Sequence, residues 1–157
     1  SNPQVLRFRT FSKAYGLAGA RVGYVLGHEE VISAFDKVRN HYGMNRTGQI
    51  GALAALTDQA FIDDIRGRFE KGRQRIAEIA AENGLEALNS VTNFVAIDCK
   101  QDSAFAKSVM NGLLEKGVFV RMPGVEPQSR CIRISVGLDE ELDIFARELP
   151  DVLRKLR

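Results

Sequence analysis

Residues 46–84, RTGQIGALAALTDQAFIDDIRGRFEKGRQRIAEIAAENG, constrain the fold of this chain more than any other stretch. Phe61, Ile62, Ile65, Phe69, Ile76 and Ile79 recur there at helical spacing, and Asn83-Gly84 supplies the stop. Thr57-Asp58 offers a second helix start inside the run. A helical region of this length exceeds what one compact domain needs, so it is expected to bridge two subdomains. The chain then divides into residues 1–45, a helical region over 46–83, and residues 84–157.

The two flanks read differently. Before the helices, VLRFRTF alternates apolar and polar side chains as a strand does, and ARVGYVLG reads as a second strand closed by Gly27. The linking KAYGLAG is too short for a crossover helix, which predicts an antiparallel neighbour pair. EEVISAFDKVRN follows as an amphipathic helix with Val31, Phe35 and Val38 on one face and acids in its first turn. After the helices, strand and helix alternate. NFVAIDC, VFVRM and RCIRISVG read as strands, and SAFAKSVMNGLLEKG reads as a helix ending at Gly117. Asp139 is expected to cap a last helix with an acidic start and a basic tail, which Pro150 should kink or split. The whole is an α/β chain whose part from about residue 84 can hold its own core.

Composition removes several function classes. With 157 residues, 45% of them hydrophobic and 27% charged, the chain sits in the range of globular proteins. Its longest apolar run, around GALAAL, is far short of the roughly 20 residues of a membrane-spanning helix. A net charge of +2 gives no case for nucleic acid, and the basic cluster RFEKGRQR reads as a solvated helix face. Cys99 and Cys131 have neither a disulfide framework nor metal-ligand spacing, so they are expected as reduced, semi-buried thiols, pointing to the cytoplasm, and no metal site is expected. Opening on Ser1 rather than methionine and entering a strand-like run almost at once, the chain is expected to follow a cleaved tag, to be a proteolytic product or to start partway through a longer gene product.

Chemistry concentrates in RTFSKAYGLAGARVGY, residues 9–24. On a strand Thr10 and Ser12 share a face, so their hydroxyls can converge on one anion. Arg21 can bring a forked cation to that anion, and Gly16 and Gly19 permit close backbone approach or positive φ. Lys13 offers an amine beside this cradle, and amines form Schiff bases with aldehydes. A phosphate cradle with an adjacent amine suits a cofactor bearing both phosphate and aldehyde, namely pyridoxal phosphate. Residue types alone favour the plainer reading, a solvated loop.

TFSKAYGLAGARVGY resembles the cofactor-lysine segment of the fold-type I, class I/II aminotransferases, in particular the histidinol-phosphate aminotransferase group. The serine-lysine pair, the glycine-rich turn, the arginine eight residues after the lysine and the glycine-aromatic pair are all present. The resemblance covers essentially the whole chain, as the C-terminal part of such an enzyme. It implies the end of the large cofactor-binding domain, two strands and helices, followed by a small C-terminal α/β domain. By it, Lys13 is the covalent anchor of pyridoxal phosphate, and Ser12, Arg21 and Thr10 bind the cofactor. RCIRISVG resembles the family's late strand, in which Arg133 would bind the substrate carboxylate. Arg121, in VFVRM, would read a far phosphate, and Asn93 in TNFVAI also matches the family pattern.

The implied reaction moves an amino group between a small amino donor and a 2-oxo acid, in a homodimer, with Lys13 as general base and acid at the substrate Cα. The ring-stacking aromatic and the aspartate at the pyridinium nitrogen belong, in the family, to a segment preceding this one. The chain alone is therefore expected to be catalytically silent. Two alternatives remain open on the sequence: a decarboxylase on the same scaffold, and a non-catalytic C-terminal fragment or interaction module.

Overall fold

A computed structural model describes residues 4–156. The chain forms two compact units, one running through Arg66 and the other starting at Gly67.

In the first unit, β1 (Arg7–Thr10) and β2 (Gly23–Leu26) pair antiparallel, with Arg7 opposite Leu26 and Thr10 opposite Gly23, as the short link predicts. Phe11 N–H then donates to Val22 C=O at 3.2 Å, which extends the pairing by one bond. α1 (Glu29–Phe35) is shorter than the expected 29–40. From Asp36 to Val38 each N–H bonds three residues back, and an Asp36–Arg39 ion pair of 2.7 Å spans the turn. Val38, expected on the apolar face, is consequently 79% exposed.

The helical region breaks where Thr57-Asp58 suggests. α2 (Arg46–Thr57) ends at Asp58, whose carboxylate accepts the Phe61 N–H at 3.1 Å and so caps α3 (Gln59–Glu82). Asn45 caps α2 by accepting the Gly48 N–H. Phe11, Val22 and Ala52 form the buried cluster here, with Tyr15, Leu17, Ala20 and Ala55 packed on it. Of the predicted α3 stripe only Ile76 and Ile79, both in the second unit, are fully buried, while Phe61 is exposed.

The second unit has a three-stranded antiparallel sheet in the order β3 (Glu86–Ala87), β4 (Phe94–Asp98), β5 (Cys131–Ser135). α3 ends at Gly84 (φ +73°), with Leu85 N–H bonded to Ala80 C=O at 2.9 Å. α4 (Ser103–Glu115), capped by Asp102, ends the same way at Gly117 (φ +79°), with Val118 N–H bonded to Leu113 C=O. The sheet's inner face, Val95, Ile97, Ile132 and Ile134, packs with Ile76, Ile79, Leu113, Phe145 and Leu149 into one core.

Three expectations are corrected. VFVRM is not a strand: it makes a single bridge from Arg121 to Arg133. Asp139 does not cap α5 (Asp139–Leu156). It is the first helical residue, and Glu141 reaches back to accept the Leu138 N–H at 2.8 Å. Pro150 does not split α5, because Leu149 before it and Val152 and Leu153 after it are all held in the core. Among the described residues no helix is long and apolar enough to cross a membrane.

Candidate functional site

The first unit gathers four of the predicted residues around one turn. The β1–β2 pairing is carried one bond further by Phe11 and Val22, and Ser12 and Arg21 are the residues next along the two arms of the turn. Phe11 is buried with its ring centroid 4.7 Å from that of Tyr15, the two rings tilted by 45°, and Leu17 N–H donates to Phe11 C=O at 2.9 Å. A buried ring thus anchors the turn from beneath, while its polar side chains stay at the surface. Ser12 lies just beyond β1, and its backbone N–H donates to Thr10 Oγ1 at 3.1 Å. That bond uses an acceptor lone pair of Thr10 and leaves its hydroxyl proton available to an anion.

Arg21 has the left-handed backbone (φ +53°) that side-chain-bearing residues seldom adopt. Its Nη1 donates to Ala18 C=O at 2.6 Å, which fixes the guanidinium over the turn and leaves further N–H groups without a partner among the described residues. Lys13 is exposed, and among the described residues its amine has no hydrogen bond or ion pair; the same is true of the Ser12 hydroxyl. Gly16 takes φ +68°, so its presence has a backbone reason, whereas a Cβ on Gly19 would meet open space. Two hydroxyls, a backbone-pinned guanidinium and an unengaged amine are a donor set that fits a phosphate with an aldehyde nearby.

The second unit brings the other two predicted residues together. Arg121 and Arg133 form a reciprocal bridge, Arg121 N–H to Arg133 C=O at 3.2 Å and Arg133 N–H to Arg121 C=O at 2.6 Å. Directly opposed residues of an antiparallel pair project to the same side, so two guanidinium stems rise side by side. Arg133 is half-buried with its guanidinium 4.9 Å from the Phe94 ring centroid, and Arg121 lies 6.0 Å from that of Phe119. Neither side chain has an ion-pair partner among the described residues. Like charges set opposite each other repel, and an anion between them would relieve that.

The expected alternation on β5 is present, with Ile132 and Ile134 buried on the core side. Cys131, on the arginine side, is nevertheless buried, beside the Asp98–Arg130 ion pair of 2.7 Å. Burial pushes the Cys99 thiol up to about 11, helped by neighbouring Cys131 and Asp98, and raises Cys131 as well. Both are buried, reduced thiols. Asn93 contributes its backbone carbonyl to the Val136 N–H at 2.9 Å.

Two participants escaped the sequence reading. Phe94, beneath Arg133, carries no signal beyond being a strand aromatic. Asn45 carries one, an asparagine directly before a helical run, but only as a cap.

Comparison with known proteins identifies the family. The family "Aminotransferase class I and II" matches residues 1–149. The histidinol-phosphate aminotransferase of Bacillus licheniformis is 42% identical over 151 residues, which is 96% of this chain and 41% of that protein. The crystal structure of histidinol-phosphate aminotransferase from Sinorhizobium meliloti in complex with pyridoxal-5'-phosphate is 51% identical, with a TM-score of 0.95 over 99% of this chain and 42% of that one. A decarboxylase from Sulfurospirillum multivorans superposes with a TM-score of 0.77 at 28% identity, covering 96% of this chain and 44% of its own. The chain thus spans about two-fifths of the length of these relatives.

Proposed function

The chain belongs to the aminotransferase class I and II family, and on that premise we propose that the intact protein is a pyridoxal-phosphate-dependent transaminase. Its amino donor is a phosphorylated amine of the histidinol phosphate type, and its acceptor is a 2-oxo acid. What supports this reading most is the turn just beyond the Phe11–Val22 bond, which carries Ser12 and the unengaged Lys13 amine on one arm and Arg21 on the other.

Thr10, Ser12 and Arg21 hold the cofactor phosphate by charge-assisted hydrogen bonds, and Lys13 anchors the aldehyde carbon. The cofactor, when bound, supplies an electron sink for the carbanion at the substrate Cα. Once displaced by the substrate amine, Lys13 Nζ takes and returns the proton at that Cα. Arg133 holds the substrate carboxylate, with the Phe94 ring fixing the guanidinium plane, and Arg121 reads the second anion. We assign residues 1–45 to the end of a larger cofactor-binding domain, 46–83 to the helical connection and 84–157 to a small domain. The protein acts as a homodimer in the cytoplasm, and the activity belongs to the intact protein rather than to this segment alone.

The test is to incubate the intact protein with pyridoxal phosphate, reduce with borohydride and map the adduct by mass spectrometry. An adduct on any residue other than Lys13 sinks the assignment. The superposed decarboxylase supports a second reading, and product analysis separates the two. Carbon dioxide released from an amino acid, without formation of a 2-oxo acid, favours decarboxylation.

A further inference from the structure

The left-handed backbone of Arg21 raises the question of what holds it there. Arg21 lies between two fixed neighbours. Val22 is buried, and its carbonyl accepts the Phe11 N–H. On the other side, Ala20 N–H donates to Leu17 C=O at 3.1 Å, and the Ala20 carbonyl accepts a hydrogen bond from Asn45 Nδ2 at 2.9 Å, across 25 residues of chain. That carbonyl belongs to the peptide linking Ala20 to Arg21, so whatever holds it sets the direction in which the Arg21 Cα and side chain leave the turn.

The same Asn45 amide accepts the Gly48 N–H through Oδ1, at 2.5 Å. One amide orientation satisfies both bonds, because the oxygen must face the donor and the nitrogen the carbonyl. Gly48 brings the helix this close: a Cβ there would stand 2.6 Å from Val22 Cγ2 and 2.9 Å from both Ala20 O and Asn45 Oδ1. The first turn of α2 therefore abuts residues 20–22 with no room for a methyl group.

We propose that Asn45 is a positioning residue for the Arg21 guanidinium. Its Oδ1 closes the start of α2 while its Nδ2 fixes the Ala20–Arg21 peptide, aiming Arg21 at the cofactor phosphate. This inference rests on the reading that Arg21 binds that phosphate.

Asn45→Asp and Asn45→Ser both keep a capping oxygen for Gly48 and lose the amide donor to Ala20. The aspartate adds a charge and the serine does not, so agreement between them excludes charge as the cause. In the intact protein, affinity is titrated spectroscopically for pyridoxal phosphate and for pyridoxal, which lacks the phosphate, alongside a thermal melt. Loss of one hydrogen bond is expected to weaken pyridoxal phosphate about threefold to tenfold in both variants. Pyridoxal binding should stay at the wild-type value, and the melting temperature should fall by no more than about a few degrees. In an Arg21→Ala background, where the phosphate contact is already gone, either Asn45 substitution should change nothing further.

Wild-type affinity for pyridoxal phosphate in both Asn45 variants overturns the proposal. So does equal weakening of both ligands, or loss of the fold, since either assigns Asn45 to stability alone. If Arg21→Ala itself binds pyridoxal phosphate like the wild type, the phosphate reading has failed, and the positioning role falls with it. Asn45 variants that behave as wild type while Arg21→Ala is impaired leave the phosphate reading standing and remove only Asn45.

Discussion

From Gly67 onward, Ile76, Ile79, Ile97, Ile132, Phe145 and Leu149 are packed between a three-stranded sheet and helices. Up to Arg66, by contrast, the described residues offer one small buried cluster, Phe11, Val22 and Ala52. The second unit is ordered by apolar volume, which is non-directional and tolerant. The first is ordered by directional bonds around a tight turn: Phe11 to Val22, Leu17 to Phe11, Asn45 to Ala20 and Gly48. The candidate cofactor residues sit on the bond-ordered unit, where aim matters most. Of the paired arginines, Arg133 stands on a strand whose other face is locked in a core, and Arg121 joins it through a single bridge.

The sharpest way to break this comparison is to remove the reactive group and ask whether order changes. Lys13→Ala in the intact protein should lower transamination by about 10⁴-fold, since it removes both anchor and general base. Lys13 is exposed and unpartnered among the described residues, so in the cofactor-free protein its loss should change the unfolding free energy by no more than about 0.5 kcal/mol. A large stability change would mean that the lysine belongs to the turn's architecture.

A matched pair of core truncations compares the two kinds of order directly. Phe145 and Phe11 are 2% and 4% exposed, so the chemistry removed is the same and only the surroundings differ. Phe145→Ala should cost about 3–5 kcal/mol in this chain, because a fully packed core cannot collapse onto the hole. Phe11→Ala should cost about 2–3 kcal/mol, since Tyr15 and Tyr24, with ring centroids 4.7 and 5.8 Å away, can move in. Amide exchange should then rise around residues 10–26 in Phe11→Ala while β4 and β5 remain protected. Equal costs would erase the distinction between the two units.

The same difference explains what could be read from sequence. Periodicity reports burial, so α4, β4 and β5 were legible, as were the presence of α5 and the break at Asp58, which carries its own cap. The Ser12–Lys13–Arg21 spacing was legible through its family resemblance, and the strand pairing then put Ser12 and Arg21 at the two ends of one turn. What sequence could not show was decided by contacts between distant residues. Arg121 pairs with Arg133 without VFVRM being a strand, Pro150 is carried by the packing of its neighbours, and Asn45 does two tasks of which local sequence announces one. Val38 failed because its helix ended early, and helix ends are set by turn bonds that periodicity does not report.

The arginine pair permits a finer test of the volume-ordered unit. Arg133→Lys keeps the charge and loses the fork, so KM for the carboxylate-bearing substrate should rise about tenfold to hundredfold with kcat changed far less. Arg121→Lys should raise KM about threefold, since a phosphate accepts a point charge better than a carboxylate accepts the loss of a bidentate pair. Equal effects at both positions would show that the two arginines do not divide the work.

The smallest expected effect lies in the core of the second unit, where Cys99 is buried next to β5. Burial raises its thiol from 9.0 to about 11 in the folded chain. The folded state therefore holds this proton more tightly than the unfolded state does. Its contribution to stability is fully present below about pH 9 and is lost as pH rises through about 11. Lysines and tyrosines titrate in the same window, so the comparison must be with Cys99→Ala, in which every other group remains. The urea midpoint of the wild type should fall more steeply between these pH values than that of the variant, and a thiol reagent at pH 8 should label Cys99 only after unfolding. The first unit holds no cysteine, so labelling kinetics report the opening of the apolar core alone. Parallel midpoint curves, or rapid labelling of the folded chain, would mean that this core admits water and is not ordered by packing.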